Sequence, residues 1–298
     1  MSGEAVTALD ILEEAPRGRR LSPTLRRFLR HRLAVLGVFV IVFLVLACAA
    51  GPYLASYGHL QLDMRHRFQP PFAGPHLLGS DELGRDQLAR LLMAGRISLT
   101  IGLAAMVISV AVGSVVGVVA GFLGGAVGGV VMRLVDAILC FPAIFLLLTL
   151  AALISPNIVT ITLIIALTAW MEVARIVYGQ IRALREMDFV AAAVAAGSTP
   201  LRIMFRELLP NVTGPIIVAA TLIVARGILL ESYVSYLGYG IQPPVPSWGN
   251  MLEKAQQYLT TAPWLAILPG VMITLTVASI NFVGDGLRDA LDPRSDQR

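Results

Sequence analysis

The chain has 298 residues, of which 56% are hydrophobic and only 14% charged, with a formal net charge of +4. Soluble domains carry roughly 25% charged residues, so this balance excludes an ordinary soluble protein and indicates an integral membrane protein. Apolar runs of about 20 residues cross a bilayer as helices, whereas strands of a membrane barrel alternate over about ten residues. The expected fold class is therefore all-α, with six transmembrane helices.

Residues 1–32 form a polar, then basic, segment containing Arg17, Arg19, Arg20, Arg26, Arg27, Arg30 and Arg32. It reads as a flank facing lipid headgroups, and the A-x-A-like cleavage site of a secretory signal is missing. Spans are expected at 33–55, 97–122, 128–153, 157–178, 212–238 and 265–287. The first span and an extracytoplasmic loop occupy 33–96, the transmembrane core 97–287, and a tail 288–298. Basic flanks mark the cytoplasmic side, which places both termini and the loop 179–211 there, and the loop 239–264 outside. Arg65, Arg67, Arg85, Arg90 and Arg96 in the outer loop 56–96 run against this count but are outweighed. Asp81–Arg85 and Asp86–Arg90 have helical i,i+4 spacing and are expected to pair.

Short hairpins, GGAVGG (124–129) and SPN (155–157), join spans two to three and three to four. Gly102, Gly113, Gly117 and Gly121 form a small-residue stripe on span two, expected to pack closely against another helix. Cys48 and Cys140 lie in apolar spans and give no disulfide framework. Charges inside spans suggest function by default. Arg133 and Asp136 on span three, and Glu172 and Arg175 at the end of span four, have i,i+3 spacing and are expected to pair. Arg226 and Glu231 on span five face apart and need other partners.

The stretch FVAAAVAAGSTPLRIMFRELLPN (189–211) departs from the spans around it. Phe189 to Ala196 can form a slim helix that Gly197 ends. Thr199 can cap a second helix with Pro200 at its first position. In that helix Leu201, Met204, Phe205 and Leu208 are expected on one face and Arg202 and Arg206 on another, with Pro210 closing it. A DNA-binding helix-turn-helix fits poorly, because both ends are tethered to spans and only two arginines could meet phosphate; nucleic acid is not an expected partner. An interfacial helix on membrane lipid explains the second helix but not the small-residue first one. A docking element for a cytoplasmic partner explains both.

These residues resemble the EAA loop of ABC-importer permeases, and the resemblance runs from about residue 24 to 294. LLGSDELGRDQLARLLMAGRISL (77–99), ESYVSYLGYGIQPPVPSWGNML (231–252) and NFVGDGLRDALDPR (281–294) look like signatures of the C-type permease of dipeptide and oligopeptide importers. The resemblance implies a permease subunit that pairs with a second, homologous permease above two ATP-binding cassette subunits. An extracytoplasmic binding protein delivers the peptide, and alternating access carries it across the plasma membrane of a bacterium. The coupling element would comprise Asp188, Ala191, Ala192, Ala193, Gly197, Ser198, Pro200, Leu201, Arg202, Phe205 and Arg206. The family's EAA glutamate aligns with Ala191, and Asp188, one turn earlier, is its candidate substitute. Glu231, Arg226, Asp136 and Trp248 are the translocation or gating candidates. Related permeases carry dipeptides, longer peptides, nickel or haem, so cargo stays open at this point.

No bond chemistry is expected. The single lysine, Lys254, is outside any P-loop pattern, so ATP and magnesium belong to partner subunits and no cofactor is expected here. No G-x-S-x-G hydrolase motif is present. His59, His66 and His76 share the outer loop without the H-E-x-x-H spacing of a zinc motif, and SDELGRD lacks the D-x-D-x-D-G pattern of a calcium loop, so no metal is expected. Residues 243–259 read as a proline turn and a short helix with Trp248, Met251, Leu252, Ala255 and Leu259 on its apolar face. That helix is either interfacial or a surface for the binding protein and outer gate. An ion-driven secondary transporter is the rival class; it would want ionisable groups near the midplane and paired broken helices.

Overall fold

A computed structural model describes residues 23–291. Arg17, Arg19, Arg20, Arg294 and Arg298 of the terminal segments lie outside the described residues. Eleven helices follow in order among these: α1 (Pro23–Arg30), α2 (Arg32–Leu54), α3 (Gln87–Leu123), α4 (Gly125–Leu139), α5 (Ala143–Leu153), α6 (Ile158–Arg185), α7 (Asp188–Ala195), α8 (Pro200–Arg202), α9 (Thr213–Tyr236), α10 (Trp248–Ala255) and α11 (Trp264–Leu291). No strand occurs among the described residues, only an isolated bridge between Ser80 and Asp86. Five helices are long and apolar enough to cross a membrane, and six spans result if α4 and α5 count as one.

Span three is thus not the single helix expected over 128–153. α4 and α5 are bent by 79° at Cys140–Pro142, where Pro142 lacks the amide that would continue the hydrogen-bond ladder. Span two is longer than expected: α3 starts at Gln87, capped by Asp86, whose carboxylate accepts from the Ala89 amide at 2.7 Å. The hairpin between α3 and α4 shrinks to Gly124, at φ +59. Asn157 and Thr160 form a reciprocal capping box that starts α6.

The glycine stripe behaves as its spacing suggests. A Cβ on Gly113 would sit 2.5 Å from the Trp170 carbonyl oxygen, one on Gly117 2.7 Å from that of Ala174, and one on Gly121 2.9 Å from Ile181 Cβ. α3 therefore lies directly on α6, and backbone proximity replaces side-chain interdigitation. Gly102 lets α9 approach in the same way, 2.7 Å from Ile228 Cγ1. Around this central pair, α2, α9, α10 and α11 pack at one end, with Cys48, Leu91, Ile228, Trp248 and Ile280 in a common core. At the other end Val118, Val177 and Ile181 form a core with residues of the 188–212 segment.

Candidate coupling and translocation surfaces

α7 has one fully buried side chain, Val190, and its remaining surface is mostly open. Its end is a complete Schellman motif: the Ser198 amide bonds to the Ala193 carbonyl at 3.0 Å and the Gly197 amide to that of Val194 at 3.0 Å. Gly197 adopts φ +75, a conformation that disfavours a Cβ. Thr199 caps α8 and Pro200 occupies its first turn, as the sequence suggested. Pro210 does not end the segment. It lacks the amide that would meet the Arg206 carbonyl, the preceding turn slips into a π segment over Ile203–Leu208, and a 3-10 turn, Leu209–Val212, carries the chain into α9.

This wider turn also corrects the expected apolar face. Ile203, Met204 and Leu208 are buried against the ends of α3 and α6, while Leu201 and Phe205 are 67% and 39% exposed. Phe189 and Val194 on α7 are exposed too. The segment is therefore clamped from below by Val190, Ile203, Met204 and Leu208. Away from these anchors, Phe189 and Val194 on α7, and Leu201 and Phe205 with the neighbouring Arg202 and Arg206, are exposed. Asp188, Ala191, Ala192, Gly197 and Pro200 are open on the same segment; Ala193 and Ser198 are half-buried. Asp188 and Ala191, three apart on α7, share a face.

The charges inside the spans pair differently from the sequence expectation. Asp136 bonds to Arg175 at 3.3 Å rather than to Arg133, and Glu172 pairs with Arg226 rather than with Arg175. Both are bonds between helices, α4 to α6 and α6 to α9, which intrahelical spacing cannot reveal. Glu172 lies half-way along its helix rather than at the helix end. α6 continues to Arg185, which leaves Glu172 about 20 Å from either end at 1.5 Å per residue. Both pairs lie on surfaces that are half exposed in the isolated chain.

From the Glu172–Arg226 pair the α6–α9 surface runs on into a cleft of about 710 Å³. Gln180, Asn211 and Arg288 line this cleft together with Leu222 and Val218. Asn211 and Arg288 fall inside stretches singled out in the sequence, 189–211 and 281–294, but neither they nor Gln180 were expected to line a cleft, because only the packing of α6, α9 and α11 brings them together.

At the opposite end Glu231 is fully buried. Its carboxyl oxygens accept from Ser98 Oγ and Ser235 Oγ, each at 2.8 Å, and more weakly from Ser232 Oγ at 3.5 Å. Among the described residues no cation lies within 4.0 Å of it, so hydroxyls alone satisfy it. Trp248 is equally buried; its indole Nε1 donates to the Leu91 carbonyl at 3.1 Å. α10 begins in a Ser247–Asn250 capping box. It is packed into the bundle, with Met251 and Ala255 inward but Leu259 exposed, contrary to its expected place on the apolar face. The sequence grouped Glu231 with Arg226, Asp136 and Trp248; the fold separates Glu231 and Trp248, as buried tie points, from the paired charges on open surface.

A family profile described as "binding-protein-dependent transport system inner membrane component" matches residues 113–297, and one described as "N-terminal TM domain of oligopeptide transport permease C" matches residues 21–71. The chain belongs to this permease family. The chain is 39% identical over 270 residues to the oligopeptide transport system permease protein OppC of Salmonella typhimurium, covering 90% of this chain and 89% of the relative. It is 35% identical over 268 residues to OppC of Bacillus subtilis, covering 90% and 88%. Against a putative peptide transport system permease protein of Brucella abortus it is 38% identical over 273 residues, covering 91% of each. The permease is thus a multi-pass inner-membrane component of a transport system with other subunits, and no enzymatic family is indicated.

Proposed function

We propose that this permease is the C-type membrane subunit of an ATP-driven importer of di- or oligopeptides, and that the segment 188–206 transmits movement from ATP-binding subunits to the spans. The observation that carries the proposal is the two-sided construction of that segment. A loop that only rested on lipid would not need its inner face locked to α3 and α6. A loop that only joined two spans would not need Phe189, Val194, Leu201 and Phe205 exposed beside two arginines. Apolar anchors with a cationic rim suit a protein partner. Because the π segment, the 3-10 turn and α9 are continuous, displacement of the anchors would be passed to α9, and through Ile203 and Leu208 to α3 and α6. Asp188 stands in for the family's EAA glutamate on the same face as Ala191.

The half-exposed pairs support the second permease as a partner. A lone charged residue at mid-span costs about 2.5–3.5 kcal/mol against lipid, so the Glu172–Arg226 surface is expected to face a protein or a water-filled path. We assign the α6–α9 face, with its cleft, to the pathway shared with a homologous permease. Alternating access between the inner cleft and the end closed by α10 completes the cycle, and both termini lie on the cytoplasmic side with the 188–206 segment. An extracytoplasmic binding protein delivers the cargo, and the relatives' names favour peptides over nickel or haem. ATP and magnesium stay on the partner subunits.

One observation favours a rival, the ion-driven carrier: Glu172 is an ionisable group half-way along α6. Its pairing with Arg226, and the finding of one broken helix among the described residues where paired ones would be wanted, weigh against it. Mild-detergent purification of the tagged chain from its native membrane, with mass spectrometry, separates the two. A second permease and P-loop ATPases are expected with the wild type. Phe205→Asp should keep the second permease and lose the ATPases. Recovery of the chain alone, repeated after crosslinking through a cysteine at position 198, would refute the assembly.

A further inference from the structure

The connection between α2 and α3 is held by the SDELGRD segment. Ser80 Oγ donates to the His66 carbonyl and accepts from the Gln69 amide at 3.0 Å. Asp81 accepts from the Leu83 and Arg85 amides, and Arg90 approaches Asp81 rather than Asp86, as the i,i+4 spacing had suggested. Gly84 passes so close to the Asp63 carbonyl that no Cβ would fit. These contacts bring residues 63, 66 and 76 to the N-terminus of α3.

There, one ligating atom from each of Asp63, His66 and His76 lies within 4.8 Å of the others. Asp63 Oδ2 is 2.7 Å from His66 Nδ1 and 3.6 Å from His76 Nε2. His76 is 1% exposed, and its Nδ1 lies 3.0 Å from Asp86 Oδ1. A carboxylate only accepts, so Nδ1 carries the proton and donates it to Asp86. His76 Nε2 is then left buried with no hydrogen-bond partner, aimed at a carboxylate oxygen. A lone pair facing an anionic oxygen without a donor between them is unfavourable. Either a second proton or a cation belongs in that gap.

We propose that Asp63, His66 and His76 bind a divalent transition-metal ion of the zinc class, which ties the α2–α3 connection to the start of α3. Two imidazoles and one carboxylate suit zinc, cobalt or nickel rather than calcium or magnesium. At ligand bonds of about 2.0–2.1 Å, tetrahedral donors stand about 3.3 Å apart, within the range of the present separations, so small side-chain rotations suffice. Asp86 supplies the outer carboxylate that metal-bound histidines commonly use to fix ring orientation, while its other oxygen caps α3. The spacing of these ligands matches no metal motif, and His59, the third histidine of the loop, is not among them. The site stands independently of the transport reading.

The test uses the full-length chain purified in mild detergent with a tag free of histidine, stripped by chelator, then titrated with zinc or cobalt ions. One equivalent per chain is expected, with the visible absorption of four-coordinate cobalt and X-ray absorption showing two imidazoles at the metal. Asp63→Asn and His66→Ala leave the buried His76–Asp86 bond in place, so they should fold while losing at least tenfold in affinity. His59→Ala should bind as the wild type. Absence of a retained equivalent, or a loss under tenfold in the Asp63→Asn, His66→Ala double variant, would overturn the proposal and leave a second proton on His76.

Discussion

Replacing Glu231 by leucine is the sharpest available probe of how the α10 end is held. The substitution preserves bulk but leaves Ser98 Oγ and Ser235 Oγ, each now 2.8 Å from a carboxyl oxygen, without that acceptor. Stranding a buried polar group costs about 1–3 kcal/mol, so the two hydroxyls together predict a loss of roughly 2–6 kcal/mol. For a chain of this size about 2–4 °C of midpoint accompanies each kcal/mol, which gives a fall of roughly 5 °C or more. The assay is thermal unfolding in detergent followed through tryptophan fluorescence, since buried Trp248 sits beside the network. Glu231→Gln keeps the shape and one acceptor oxygen, with its amide nitrogen donating to the other serine oxygen, and should lose less. The double variant Glu231→Leu, Ser98→Ala removes one stranded hydroxyl and should recover part of the loss. Leucine and glutamine variants with equal midpoints would refute the reasoning, because the hydroxyl–carboxyl bonds would then contribute nothing.

Gly117→Val drives a Cβ to within 2.7 Å of the Ala174 carbonyl oxygen and should cost about 1–3 kcal/mol or more by overpacking; Gly129→Ala, with open space around it, should be neutral or slightly stabilising by the same unfolding assay. Arg226→Leu leaves Glu172 unpaired and should reduce uptake at least tenfold, whereas the exchange Glu172→Arg, Arg226→Glu should restore part of it in a whole-cell peptide uptake assay. Gly197→Trp places a bulky side chain at φ +75 in the proposed docking surface, so uptake should be lost while membrane insertion, read by fractionation, is kept. Ala191→Glu falls on an exposed position and should retain or strengthen ATPase association in pull-downs.

The apolar runs, the glycine stripe and the caps at Thr199 and Gly197 were legible in the sequence because each rests on local periodicity or backbone geometry. What escaped was set by contacts between elements. Asp136 and Glu172 had plausible i,i+3 partners on their own helices, and only the packing of α4, α6 and α9 reveals the others. Pro210 looked like a terminator because proline lacks an amide; the chain instead absorbed that loss as a π segment, which turned Leu201 and Phe205 outward. Pro142 broke span three where hydrophobicity ran on unchanged. The Asp63–His66–His76 cluster depends on a fold of the loop around Gly84 and Ser80, so no spacing rule could signal it. Trp248 and Glu231 were candidates for translocation or gating; only the fold shows that both are buried and which carbonyl and hydroxyls hold them.

The most direct test of coupling through segment 188–206 is peptide uptake and ATP hydrolysis measured together in proteoliposomes holding the complete transporter with its binding protein. Wild type should accumulate peptide only when ATP is supplied on the side of the ATPases, and Phe205→Asp should abolish that accumulation while the two permeases remain assembled. Unimpaired ATP-driven uptake by Phe205→Asp, or accumulation driven by an ion gradient without ATP, would contradict the account.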